Sequence, residues 1–121
     1  MLSKLRRIFS SSTIPVTDLV RERVDDLFTV DDRDEAIGIL EQHFGFSLPL
    51  IPGTKPETYN PVRCAALKVS DGDLDCLRKL ITQAHHDWRD LLQDAGFAWD
   101  TEAHKNWRPK TKPNKSQHPT A

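Results

Sequence analysis

The stretch DLDCLRKLITQAHHDWRDLLQDAG, residues 73–96, decides the fold. On a helical wheel, Leu74, Leu77, Ile81, Ala84, Trp88, Leu91, Leu92 and Ala95 fall within one arc of about 100°. That is the buried face of one long amphipathic helix, with Trp88 at its middle. Ser70 or Asp71 is the expected cap, Asp73 supplies an acidic first turn and Gly96 a natural stop. Leu74, Leu77, Ile81, Trp88, Leu91 and Leu92 are the expected core residues.

The same stretch holds the densest group of chemically capable side chains in the chain: His85, His86, Asp87, Arg89, Asp90 and Asp94. Adjacent residues on a helix diverge by about 100°, so His85 and His86 cannot hold one ion together. The pairs that do converge, His86 with Asp90 and Asp90 with Asp94, find no third ligand on this helix. His43 and His104 are distant candidates that nothing in the sequence places nearby. No metal site and no cofactor are expected. No GxSxG, P-loop or glycine-rich phosphate cradle occurs, so no catalytic residue is assigned. Gln83, Asp87, Asp90 and Asp94, with His86 beside them, read as a polar outer stripe.

Outward from this helix the pattern stays helical. Val16, Val20, Val24 and Leu27 predict a helix over residues 15–28, with Thr13 or Thr17 as cap. Ala36, Ile37, Leu40 and Phe44 predict another over 31–44, stopped by Gly45, with Gly38 inviting close approach of a neighbour. Asn60 and Pro61 open a third as N-cap and first-turn proline, and Val62, Ala65, Ala66 and Val69 line its inner side. Between them, residues 45–59 hold Pro49, Pro52 and Pro56 and form a long loop. Its apolar members Phe46, Leu48, Leu50 and Ile51 close one end of the core, or form a lid or docking segment. A short helical turn is expected over 101–107. The fold class is all-α: a small antiparallel bundle of four to five helices with a long proline-containing loop.

The organisation is a basic N-terminal segment (1–12), a helical domain (13–107) and a basic tail (108–121) expected to be disordered. Residues 1–9 are basic and broken-apolar, which suits a transit or membrane-surface segment or a short docking helix. No apolar run approaches the length needed to span a bilayer. Cys64 and Cys76 match no metal or redox spacing and read as reduced, inert thiols of a cytoplasmic protein.

The net charge of −1 hides a strong division. All 18 acids lie between residues 18 and 104, against nine bases, leaving that segment at −9. Lys4, Arg6 and Arg7 sit before it. Lys105, Arg108, Lys110, Lys112 and Lys115 sit at or beyond its end. An acidic body of this kind suits docking on a basic protein partner, in the manner of an immunity protein or inhibitor. His86, Asp87, Asp90, Asp94, Asp25 and Asp26 are the expected contact residues. The alternatives are a small enzyme with a pocket under the 45–59 loop, or nucleic-acid binding through the tail bases around Trp107.

Residues 62–97 resemble a group of short bacterial proteins with no established activity. The resemblance rests on Leu67-Lys68-Val69-Ser70, Gly72-Asp73-Leu74, Leu77-Arg78, Ala84 and Asp87-Trp88-Arg89-Asp90. It implies a bacterial origin and no mechanism.

Overall fold

Residues 13–45, 47–48 and 55–109 are described by the computed structural model, and every regular element among them is helical. Helix α1 spans Asp18–Leu27. Thr17, not Thr13, caps it by accepting from the Val20 amide at 3.4 Å. It starts later than expected because the carbonyls of Ile14 and Pro15 serve a different purpose: both accept from the Arg63 guanidinium. Helix α2 spans Val30–His43. Arg33 ties it back to α1 by donating to the Phe28 and Asp25 carbonyls at 3.1 and 3.0 Å.

A 3-10 turn over Pro56–Tyr59 leads into α3, Asn60–Ser70. Asn60 therefore lies inside the helix and does not cap it. Its Oδ1 instead accepts from the Thr17 hydroxyl at 2.8 Å. Asp71 and Gly72 both turn left-handed, at φ 51 and 85. Asp73 then caps α4, Leu74–Ala95, by accepting from the Cys76 amide at 3.1 Å. Gly96, at φ 81, ends α4, and Phe97 N–H donates back to Leu92 at 2.8 Å. A short α5, Ala103–Asn106, follows.

These contacts define the topology. Thr17 meets Asn60 at one end. At the other, a Cβ on Gly72 would lie 2.6 Å from the Leu27 carbonyl oxygen. So α1 and α3 run parallel, side by side. Glu35 of α2 pairs with Arg78 early in α4, and His43 at the end of α2 meets His85 further along α4. So α2 and α4 also run parallel. Each helix is antiparallel to the next along the chain, and α1 and the first half of α4 occupy diagonal corners. Beyond that, the chain crosses α3: Lys68 Nζ lies 5.0 Å from the Phe97 ring centroid, and the Lys105 carbonyl meets Arg23 of α1. Covered on several sides, α3 is buried at Val62, Cys64, Ala65, Ala66 and Leu67 alike. This is the all-α bundle that the periodicities predict.

Of the expected core residues, Leu77 and Leu91 are fully buried, while Leu74, Ile81, Trp88 and Leu92 are partly buried against the core. Val69 is also only partly buried. Leu80, off the predicted arc, is buried. Two glycine expectations are corrected. Gly38 has nothing within 4 Å of a Cβ position, so no neighbour approaches it. Gly45 does not adopt the left-handed stop conformation; α2 ends at His43 and Phe44 is its C-cap, at φ −120. Gly45 is small because Arg63 Nη2 would stand 2.9 Å from its Cβ.

Leu48 is buried, as expected of a loop that closes the core. The expectations for Phe46, Leu50 and Ile51, for residues 1–12 and for Lys110, Lys112 and Lys115 fall outside the described residues. Among the described residues, no helix is long and apolar enough to cross a membrane.

Candidate functional site

The long helix is not continuous. Asp87 has extended backbone angles, φ −160 and ψ 100, in the middle of α4. Its carboxylate Oδ1 accepts from the Arg89 amide at 3.1 Å, the geometry of an N-cap. Arg89 closes the element from the other side: its Nε donates to Oδ1 at 3.0 Å and its Nη2 to Oδ2 at 3.3 Å. DWRD is thus an internal capping element that starts a second helical segment. The Arg89 hydrogen bonds, side chain first and backbone second, hold the Asp87 carboxyl below its usual range.

The break redistributes the expected site. A wheel drawn through residues 83–96 loses its register at Asp87, which is why Trp88 lies at the edge of the core. His86 is exposed, and no ion pair joins it to Asp90 among the described residues. Gln83 Nε2 donates to Asp94 Oδ2 at 2.9 Å, across the bend. Asp90 and Asp94 are exposed; Asp87 is half-buried and committed to Arg89. Asp25 and Asp26 are exposed on α1, and Asp25 lies 3.7 Å from Arg33. The two groups of expected contact residues therefore sit on different helices.

His85, not His86, is the histidine with partners. Its Nδ1 lies 2.8 Å from the Ile81 carbonyl and its Nε2 3.0 Å from the Ser47 hydroxyl. The His43 ring stands edge-on to it, with centroids 6.4 Å apart. Burial, then the charge of His85, lowers the proton affinity of His43. Sequence separation hid this pairing, although both residues were visible as candidates. Among the described residues, no three His, Cys, Asp or Glu side chains converge on a metal position.

The buried charges are unusual. None of the 18 acids is buried, whereas Arg23 and Arg63 are wholly so. Arg63 donates to Phe44, Pro15 and Ile14 carbonyls at 2.8, 2.9 and 2.6 Å. Burial, opposed by Glu41 and Tyr59, lowers its pKa to about 10. Arg23 donates to Glu22 at 2.9 Å and to the Lys105 carbonyl at 3.4 Å, leaving its buried Nε unpartnered among the described residues. Burial also pushes the Cys64 thiol up to about 12, which leaves it inert as a nucleophile. Of the tail bases, Lys105 pairs with Glu102 at 2.8 Å and Arg108 approaches Glu22 at 3.7 Å.

One residue escaped the sequence reading. Trp99 is 87% exposed, on the turn between α4 and α5. Asp100 braces this turn: its Oδ1 accepts from the Glu102 amide at 2.8 Å, and its carbonyl from the Ala103 amide at 3.1 Å. No helical period passes through residues 97–102, so no pattern could mark Trp99 as outward.

No match to this chain is found among family models, curated proteins or solved structures.

Proposed function

We propose that this chain is a binding protein whose acidic helical body docks on a basic protein partner, as an inhibitor or immunity protein does. The observation that carries the reading is the segregation of charge. Every acid remains at or near the surface, while Arg23 and Arg63 are buried and Arg63 gives its donors to backbone carbonyls. A partner approaching the body meets an excess of carboxylates over the exposed bases Arg21, Lys55, Lys68, Arg78, Lys79 and Arg89. Such a surface speeds encounter and rejects acidic partners.

Electrostatics gives rate and selectivity more than affinity, so the interface also needs an apolar anchor. Trp99 supplies one: a large exposed ring on a braced turn, with Asp100 and Glu102 exposed on that same turn. Tryptophan is enriched among residues that dominate binding energy, and a pre-ordered turn lowers the entropy cost of using it.

The test is co-purification of the tagged full-length chain from its native host, with parallel low-salt and high-salt washes. A single basic protein, lost at high salt, is expected. Its affinity for the purified chain should fall about tenfold or more with Trp99→Ala and should weaken with salt for the wild type. An acidic partner, or affinity indifferent to both salt and Trp99, overturns the reading. Recovery of nucleic acid that depends on residues 105–121 moves the function to the tail.

A further inference from the structure

The fold serves its two buried arginines unequally. Arg63 gives Nε, Nη1 and Nη2 to carbonyl oxygens at 2.8, 2.9 and 2.6 Å. Arg23 is as deeply buried, with none of its surface exposed. Its Nη1 donates to Glu22 Oε1 at 2.9 Å, and that glutamate side chain is 62% exposed. Its Nη2 reaches the Lys105 carbonyl at 3.4 Å, longer than an ordinary hydrogen bond. Its Nε, also buried, has no acceptor among the described residues.

The two poorly served atoms belong together. Nε and Nη2 form one edge of the guanidinium, the fork that grips a carboxylate through two parallel hydrogen bonds. In Arg63 that edge is filled by the Phe44 and Ile14 carbonyls. In Arg23 it faces one distant carbonyl. A buried donor on a charged group is costly to leave without an acceptor, so an orphan of this kind calls for a partner.

The surrounding groups do not supply one. Cys64, on α3 and close enough to sense the Arg23 charge, keeps its proton. His104 is buried on α5 near the same charge, and it accepts no bond from Nε. No acid is buried among the described residues. The ion pairs gathered here join three bases, Arg23, Arg108 and Lys105, to two acids, Glu22 and Glu102. Within an acidic body this is a local excess of positive charge, suited to one negative charge.

We infer that the Nε–Nη2 edge of Arg23 is a concealed binding site for a small carboxylate. The cover is α5, and the Lys105 carbonyl stands where one carboxylate oxygen binds. The long contact makes that carbonyl easy to displace, and the second oxygen accepts from Nε. Lys105 and Arg108, exposed beside the cover, draw the anion in. The cover is short, four residues, and the Trp107 ring at its end rests 6.1 Å from that of Phe97. Movement of α5 is therefore read at Trp107.

Acetate is the probe, titrated into the full-length chain against chloride at constant ionic strength. The Arg23 Nε–H resonance, assigned by its loss in Arg23→Lys, should move saturably with acetate and not with chloride. The Trp107 indole resonance should move with the same midpoint. Arg23→Lys keeps the charge and loses the fork, so the Trp107 response should need about tenfold more acetate. Glu22→Gln, at an exposed position, removes the competing carboxylate and should tighten acetate binding about threefold or more. An Nε–H resonance that acetate leaves in place would mark a buried water as its lasting partner and overturn the proposal. So would an equal response to chloride, or an affinity that Glu22→Gln fails to raise.

Discussion

Gln83 and Asp94 stand 11 residues apart and share a hydrogen bond of 2.9 Å. In a straight helix their Cα atoms would be about 16.5 Å apart, beyond the reach of the two side chains. The bond is possible only because α4 turns back at Asp87. The same turn carries Phe97, Trp99 and α5 across α3 to Arg23. The placement of everything described after Asp87, residues 88–109, depends on this bend.

The bend has a direct measurement. Spin labels at Lys79→Cys and Gln93→Cys, in a Cys64→Ala, Cys76→Ser background, would be about 21 Å apart along a straight helix. A clearly shorter distance is expected. Asp87→Ala removes the internal cap and should shift the distribution towards longer distances. A wild-type distance at the straight-helix value would contradict the bend.

Residues with regular period revealed themselves in the sequence, and the exceptions share a cause. Four of the five helices were legible from apolar spacing, and Gly96 from its chemistry as a boundary; the cap of α4 was not, since Ser70 ends α3, Asp71 is its C-cap and Asp73, expected inside the first turn, is the N-cap. The break at Asp87 was not, because aspartate in the middle of an apolar period looks like a surface residue. Its capping role appears only once Arg89 is seen to close on it. The His43–His85 contact and the Arg63 anchor join residues 42 and 48–49 positions apart. Period reports which face a residue occupies, not which residue it meets.

Arg63 is expected to be the most sensitive polar residue in the fold. Arg63→Met keeps the volume but strips donors from the Ile14, Pro15 and Phe44 carbonyls. The expected loss is about 3–5 kcal/mol by chemical denaturation. Arg63→Lys should recover little, because an ammonium cannot reproduce the planar fork. Gly45→Ala places a methyl 2.9 Å from Arg63 Nη2 and should cost about 1–3 kcal/mol. In the Arg63→Met background that second cost should shrink, since the clashing atom is gone. Strict additivity of the pair would show that the two residues do not compete for one space.

Three other glycines should respond in three different ways to alanine. Gly72 is left-handed, and its Cβ would lie 2.6 Å from the Leu27 carbonyl oxygen, a backbone atom that cannot step aside. Gly72→Ala should be severe, about 3 kcal/mol or more. Gly96 is equally left-handed, but the nearest atom is the mobile Lys68 Nζ at 3.8 Å. Gly96→Ala should cost about 1–2 kcal/mol, from backbone strain alone. Gly38 lies inside α2 with nothing within 4 Å, so Gly38→Ala should stabilise by about 1 kcal/mol. Thermal unfolding of the three variants ranks them, and a destabilised Gly38→Ala would mean that a neighbour does approach α2 there.

His104 links stability to pH. It is buried on α5, and burial lowers its pKa first, followed by the charge of Lys105; Glu102 and the Thr101 backbone oppose, and Arg23 adds to the lowering. The folded state therefore holds the proton less tightly than the unfolded chain. Above the unfolded value of about 6.5, both states are neutral at this site and its contribution is intact. As pH falls below that value, the unfolded chain protonates first and stability is lost, until the folded value is also passed. The loss should appear locally, as release of α5 from Arg23 and of Trp107 from Phe97, whose ring centroids lie 6.1 Å apart. Indole fluorescence and denaturant midpoints between roughly pH 7.5 and 5 measure it. His104→Gln should flatten the slope, leaving the part that His43, lowered in the same direction, supplies. A slope unchanged by His104→Gln would place the acid-sensitive group elsewhere.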